Sequence, residues 1–159
     1  MEAKPVSQSQ VIMTEMVLPT HTNSLETIFG GTIMSWIDIA AAISAQRHAQ
    51  RPVVTASIDD LHFIAPVKSG WVVNLKASVN HTAKSSMEVG VRVDAENPIT
   101  GEYFHTASAY LTFVALDENG KPTVVPKVLP ETDEQKARFD KAKLRRQLRL
   151  ERREFFRKK

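Results

Sequence analysis

The chain has 159 residues, of which 42% are hydrophobic and 25% charged, a formal net charge of +3 and a pI near 9.3. That is enough sequence for one folded core and short for two, so one globular domain is expected, with an α+β element pattern. With no cysteine at all, disulfides, thiolate metal sites and a cysteine nucleophile are excluded, and a reducing compartment, the cytoplasm, is the expected location.

No uncharged run is long enough to span a bilayer, and the opening "MEAKPVSQSQ" lacks the basic-then-apolar order of a signal peptide. Neither membrane insertion nor export is expected. The positive excess sits in the last stretch, "KAKLRRQLRLERREFFRKK", while residues 1–140 are close to neutral or acidic. Leu144, Leu148 and Phe155 fall at helical spacing within it. A helix packed on its own domain or on a neighbouring subunit therefore explains the tail better than nucleic-acid binding does, with attraction of a phosphorylated ligand as a secondary role.

Residues 1–10 are expected to be flexible. "VIMTEMVLP", from Val11 to Pro19, reads as a strand stopped by proline. "THTNSLETIFGG" is rich in turn formers, and Gly30 and Gly31 then open a helix that runs to about Gln50 before Pro52. Ile33, Ile37, Ala40, Ala41 and Ser44 share one side of that helix, and Met34, Asp38, Ala41, Ala42 and Ala45 another. No wide polar stripe appears before "QRHAQR", so the helix is expected to be surrounded. Strand-like segments follow: Val53–Ile64, Trp71–Thr82 with strict alternation, "SMEVGVRVDAE", and Glu102–Leu116. "PETDEQKARFD" opens a last helix, with Thr132 as N-cap and Gln135 three positions on. One antiparallel sheet wrapped around one apolar helix is the economical packing, and no internal repeat suggests a second copy.

Asp38 stands in the middle of the apolar helix. A carboxylate in an apolar interior costs several kcal/mol unless it is paired, bonded or protonated. It either accepts hydrogen bonds or an ion pair, for instance from Arg47 or across a subunit boundary, or it activates water or attacks directly in a dry cleft. Two features favour chemistry. The unpaired amides of Gly30 and Gly31 and the positive end of the helix dipole can face a developing oxyanion. Asn23, just upstream, can orient a water or a carbonyl. The five histidines have no metal-ligand spacing, so no metal is expected. Ser57, His62 and Asp59 could be assembled into a triad on paper, but no GxSxG, GxxxxGK or GxGxxG motif is present.

"HTNSLETIFGGTIMSWIDIAAAISAQRHA", "VVTASIDDLHFIAPVKSGWVV", "KSSMEVGVRVDAENPITGE" and "ASAYLTFVALDENGKPTVVP" resemble successive blocks of the hot-dog-fold acyl-CoA thioesterases, a group that includes brain-type cytosolic enzymes. The likeness runs from about residue 10 to 140, and "VLPETDEQKARFDKAKLRR" is similar to the tail of some members. The resemblance implies a hot-dog domain over 11–130 and a basic helical extension over 131–159. It implies hydrolysis of fatty acyl-CoA to free acid and coenzyme A without a further cofactor, dimers whose sheets continue across the seam, and trimers of such dimers. It places the family's acid on Asp38, its asparagine on Asn23 from a partner subunit, and carbonyl polarisation at Gly31. Substrate or coenzyme A contacts are implied at Gly30, Thr55, Ala56, Ser57, Lys84, Ser85 and Ser86. Ile39 stands where many members carry a second acid, and Glu26 and Thr27 stand where others have Asp or Gly. Dehydratases and non-catalytic acyl-CoA binders share the fold, but this helix offers no second catalytic group near Asp38. Trp36, Ile37 and Met34 are expected to close the acyl tunnel.

Overall fold

The computed structural model describes residues 1–59 and 61–158; Asp60, inside the expected strand Val53–Ile64, and Lys159, the last tail residue, lie outside the described residues. In chain order the elements are β1 (Lys4–Pro5), β2 (Val11–Met16), α1 (Gly30–Ala49), β3 (Val53–Ile58), β4 (His62–Phe63), β5 (Val72–Thr82), β6 (Ser86–Glu96), β7 (Tyr103–Ala115), β8 (Val128–Leu129) and α2 (Asp133–Arg157). The main sheet runs β2-β5-β6-β7-β3, all antiparallel, with β4 also on β7, and β1 pairs with β8 in a small parallel ribbon. Among the described residues no helix is long and apolar enough to cross a membrane.

Alternation decides which face of the sheet is dry. Val73, Leu75, Ala77 and Val79 on β5, Met87, Val89, Val91 and Val93 on β6, and Ala107, Ala109, Leu111 and Phe113 on β7 are all buried against α1. The helix meets them with Ile33, Ile37, Ala40, Ala41, Ser44 and Ala45. Small side chains on both surfaces let α1, about 30 Å long, lie close along the sheet. The outer face carries the polar set and receives α2, whose start is closed by a capping box: the Thr132 hydroxyl accepts from the Gln135 amide at 3.1 Å, and the Gln135 side chain accepts from the Thr132 amide.

Three expectations change. Residues 4–9 are not loose: Lys4 donates to the His48 carbonyl at 2.9 Å, Val6 is buried, and the buried Ser9 hydroxyl accepts from the Val79 amide at 2.9 Å. The segment Val53–Ile64 is two strands. A bulge at Ala56, between Thr55 and Ser57, twists β3, and past the end of β3 the Asp59 amide still donates to the Tyr110 carbonyl at 2.8 Å while its carboxylate pairs with Arg149 of α2 at 2.9 Å. Finally α1 is not surrounded within one chain. Gly31, Met34, Ser35 and Ile39 are exposed, Met34 by 40% and Ile39 by 47%, along a stripe that borders the free edge of β3.

Candidate active site

Asp38 is half-buried rather than enclosed, because it lies at the border of the exposed stripe of α1. Its Oδ1 accepts a 2.7 Å hydrogen bond from the Thr55 hydroxyl on the edge strand β3, at the short end of neutral hydroxyl bonds as expected for a charged acceptor. Thr55 lies on the helix side of the sheet, since it stands opposite Phe113, a core position of β7, and it remains exposed at the sheet edge. The strand thus pins one carboxylate oxygen, while Oδ2 has no hydrogen-bond partner among the described residues.

Two turns upstream, α1 begins without a side-chain cap at Phe29. The first intrahelical bonds to the Phe29 carbonyl come from the amides of Thr32 and Ile33, at 3.0 and 3.3 Å. The amides of Gly30 and Gly31 precede them and have no acceptor among the described residues. Gly31 is exposed, and a Cβ there would lie 3.0 Å from the Phe29 ring. A cavity of about 310 Å³ opens beside Gly30, lined by Ile28, Ile33, Phe63, Ile64 and Pro66. Its apolar walls suit a hydrocarbon chain. The sequence offered no signal for Phe63 and Ile64, since their position depends on β4 folding back against β7.

Asn23 is exposed and its Oδ1 is consumed by its own loop, accepting from the Leu25 amide at 2.9 Å and from the amide and hydroxyl of Thr27 at 3.3 and 3.2 Å. An Asx turn of this kind orients the remaining NH2 outward as a donor. Edge-on packing of His21 against Trp36, with centroids 5.1 Å apart, and a bond from the Phe29 amide to the His21 carbonyl at 2.8 Å hold this loop on α1.

Ala56 is the exposed extra residue of the bulge, and Ser57 is half-buried opposite Thr112. Lys84, Ser85 and Ser86 form the β5–β6 hairpin. They sit beside the end of β7, where Ser86 stands opposite Val114 and the Ser85 carbonyl accepts from the Ala115 amide at 3.0 Å, so two strand spacings separate them from β3. Within one chain Met34, Trp36 and Ile37 face different surroundings. Successive helix residues point about 100° apart, and here Ile37 is in the core, Trp36 meets His21 and Met34 is exposed.

Ser57, His62 and Asp59 form no triad, since Asp59 is paired with Arg149 and His62 stands opposite Ser108. A different series runs across the outer face. Asp94 accepts from the His105 ring at 3.2 Å, and the far ring nitrogen of His105 is 3.1 Å from the Ser108 hydroxyl. Burial alone raises the Asp94 carboxyl, but hydrogen bonds from Arg92, Tyr103 and His105 outweigh it and hold the group below its ordinary value. The series lies along strands whose amides serve the sheet ladder, so it has no oxyanion donors of the kind that the start of α1 offers.

Among the described residues no cluster of three or more His, Asp or Glu could hold a metal ion. A sequence model of the thioesterase superfamily matches residues 25–102. An uncharacterized acyl-CoA thioester hydrolase of Bacillus subtilis is 47% identical over 134 residues, which are 84% of this chain and 78% of that protein. The crystal structure of an apo-hexameric acyl-CoA thioesterase superposes with a TM-score of 0.92 at 45% identity, covering 96% of this chain and 97% of that one. An acyl-CoA hydrolase of Staphylococcus aureus, solved with butyryl coenzyme A, coenzyme A and coenzyme A disulfide, gives a TM-score of 0.91 at 41% identity over 98% of this chain and 95% of the other. That hydrolase has also been solved with an aspartate, an asparagine or a threonine replaced by alanine. With its long helix against an antiparallel sheet and these likenesses along its length, the chain has the hot-dog fold and belongs to the thioesterase superfamily, in the group of the acyl-CoA thioester hydrolases.

Proposed function

We propose that this chain hydrolyses acyl-CoA thioesters to the free acid and coenzyme A, with Asp38 as the reacting carboxylate. The observation that carries the reading is the Asp38–Thr55 bond, which pins a helix-borne carboxylate at the rim of the apolar stripe. The aspartate, asparagine and threonine replaced in the S. aureus hydrolase have the same relative spacing along their chain as Asn23, Asp38 and Thr55 have along this one, which supports the choice of residues.

The amides at Gly30 and Gly31 point out of the helix start, away from Asp38, which lies about 10 Å further along the axis. One carbonyl therefore cannot rest on Gly31 and meet Asp38 of the same chain within the roughly 3 Å that reaction needs. A two-chain site resolves this. One copy supplies Asp38 and Thr55, a second supplies the Gly31 amide and the Asn23 NH2, and the exposed stripe of α1 with the free edge of β3 forms the seam. The hexameric relative supports assembly of this kind, as a trimer of such dimers.

The Gly31 amide polarises the thioester carbonyl. Asp38 either takes a proton from the attacking water or attacks to give an anhydride that water then opens. The thiolate departs and collects a proton, without metal or further cofactor. The apolar cavity beside Gly30 receives the acyl chain. Likeness to relatives named cytosolic acyl coenzyme A thioester hydrolases supports placing this activity in the cytoplasm.

The test measures release of coenzyme A across acyl chain lengths by wild type and by an Asp38→Asn variant of verified fold and assembly. Loss of hydrolysis with acyl-CoA still bound is expected, and an active variant refutes the role of Asp38. Mixing Asp38→Asn with Asn23→Ala protomers should restore part of the activity; no recovery in verified mixed assemblies refutes the two-chain site.

A further inference from the structure

The series on the outer face of the sheet owes its arrangement to an irregularity in β7. Val93 stands opposite Ala107 and Asp94 opposite His105, so Thr106 is one residue too many for its partner strand. Thr106 is buried and donates to the Ala65 carbonyl. His105 and Ser108, three positions apart, therefore share the outer face, where a regular strand would put them on opposite sides. The Ser108 hydroxyl lies 3.1 Å from His105 Nε2, and His105 Nδ1 lies 3.2 Å from Asp94 Oδ1.

Asp94 is 2% exposed and also accepts from Arg92 Nε at 3.1 Å and from the Tyr103 hydroxyl at 3.0 Å. A carboxylate fixed by three side chains keeps its place against the ring. It draws the ring proton to Nδ1 and leaves Nε2 to accept from Ser108. His105 and Ser108 are half-buried, and Ser108 and Arg92 line a groove of about 500 Å³ that opens between the sheet and α2. The strand amides are committed to the ladder, but a side chain can take their part. Arg92 stands directly opposite Ser108, and its Nη groups have no hydrogen-bond partner among the described residues. They can donate to an oxyanion that forms beside Ser108.

We propose that Ser108 is the nucleophile of a second site, an esterase acting on esters of short carboxylic acids, with His105 as base, Asp94 as its orienting group and Arg92 as oxyanion donor. Such a constellation recurs on unrelated folds and is identified by geometry and roles, so it needs no GxSxG motif. Ser108 Oγ bonds to the ester carbonyl carbon as its proton passes to His105 Nε2. The bond from that carbon to the alcohol oxygen then breaks, and His105 returns the proton to the departing alcohol. Water, deprotonated by His105 in the same way, attacks the acyl-serine; the acid leaves, and Ser108 Oγ regains its proton. The groove beside Ser108 is lined by Ser78, Lys76 and Arg92, which suits a short acyl group better than a long apolar chain.

Labelling of the assembled protein by an alkyl fluorophosphonate, read by peptide mass spectrometry, tests the nucleophile: Ser108 Oγ bonds to phosphorus, fluoride leaves and the adduct persists. Hydrolysis of p-nitrophenyl acetate, read as p-nitrophenol, tests turnover. Wild type and Asp38→Asn should carry the label on Ser108 alike and hydrolyse the ester alike. In variants of verified fold and assembly, Ser108→Ala should lose both reactions, and His105→Gln should slow both roughly 10²-fold or more, the cost of removing a general base. No label on wild type, a label confined to another residue, or ester hydrolysis by Ser108→Ala equal to wild type overturns the proposal. Both reactions are read in the absence of acyl-CoA and in a chain lacking the Asp38 carboxylate, so their outcome is independent of the proposed thioester hydrolysis.

Discussion

Replacing Thr55 by valine removes one hydroxyl and keeps the shape of the side chain. The bond it breaks is the 2.7 Å contact with Asp38 Oδ1. A hydrogen bond to a charged group contributes about 1.5–3 kcal/mol. Thr55 is exposed and Asp38 half-buried, so water can replace part of the lost donor and the lower end applies. About 1.5 kcal/mol corresponds to roughly tenfold in rate. The loss should fall on kcat, because a carboxylate free to rotate spends less time aimed at water or carbonyl, while inhibition by free coenzyme A stays as in wild type. Thr55→Ser keeps the donor and should retain most of the activity. A thiol-reactive dye reads coenzyme A release without background, since the chain has no cysteine. A valine variant with wild-type kcat refutes the positioning role. If KM and the coenzyme A inhibition constant rise while kcat holds, Thr55 is a coenzyme A contact, as the family resemblance implies.

Gly31→Ala should leave the fold intact, because the Cβ meets only the movable, exposed Phe29 ring, yet lower kcat/KM by up to about 10²-fold, the cost of a misplacement of about 1 Å, since alanine keeps the amide but its methyl stands where the thioester must approach the backbone; full activity shows that no substrate comes close to that backbone. Gly90→Ala should lower stability by about 1–3 kcal/mol in urea unfolding, since neither Asn80 nor Glu88 can yield, and an unchanged midpoint contradicts the packing. Burial holds the His48 ring below the ordinary 6.5, against the raising effect of the Pro126 carbonyl, so the folded chain refuses a proton that the unfolded chain accepts. Stability is then lost as pH falls below 6.5, and His48→Gln, which can still donate to Pro126, should flatten that decline in Tm. Glu88→Ala leaves Arg145 without its partner and should cost about 3 kcal/mol, much of it regained in the Glu88→Leu, Arg145→Met pair; equal losses in both rule out a coupled ion pair.

Periodicity carried most of the fold. The residues Ser86–Glu96 alternate so strictly that the strand's bounds are those of the quoted segment, and Thr132 with Gln135 announces α2 because a capping box is a local arrangement within four residues. What stayed hidden depends on contacts distant in sequence. Val53–Ile64 looks like one strand, and nothing in it announces the bulge at Ala56 or the pairing of Asp59 with Arg149, ninety positions on. The first ten residues look loose because their composition is polar, yet Lys4 finds a carbonyl on α1 and Ser9 an amide on β5. Thr55 is marked by the family resemblance only as a substrate or coenzyme A contact, and its bond to Asp38 exists because β3 closes on the helix that precedes it.

The misjudged burial of α1 is informative in its own right. A helix without a polar stripe predicts cover on all sides, and within one chain Met34, Ile39 and Gly31 have none. Sequence pattern records what is covered in the working assembly, and a single chain records what it covers alone, so the difference between them maps the missing surface. That difference is not scattered. It runs along one stripe of α1 beside the free edge of β3, where Val54 is exposed by 46% and half of the strand's backbone groups lack a neighbour. Asp38 sits at the margin of the same stripe, and the unpaired amides of Gly30 and Gly31 lie about 10 Å from it along the helix axis. The apolar surface in need of cover and the groups of the proposed site in need of a counterpart therefore lie together, as the proposed two-chain site requires.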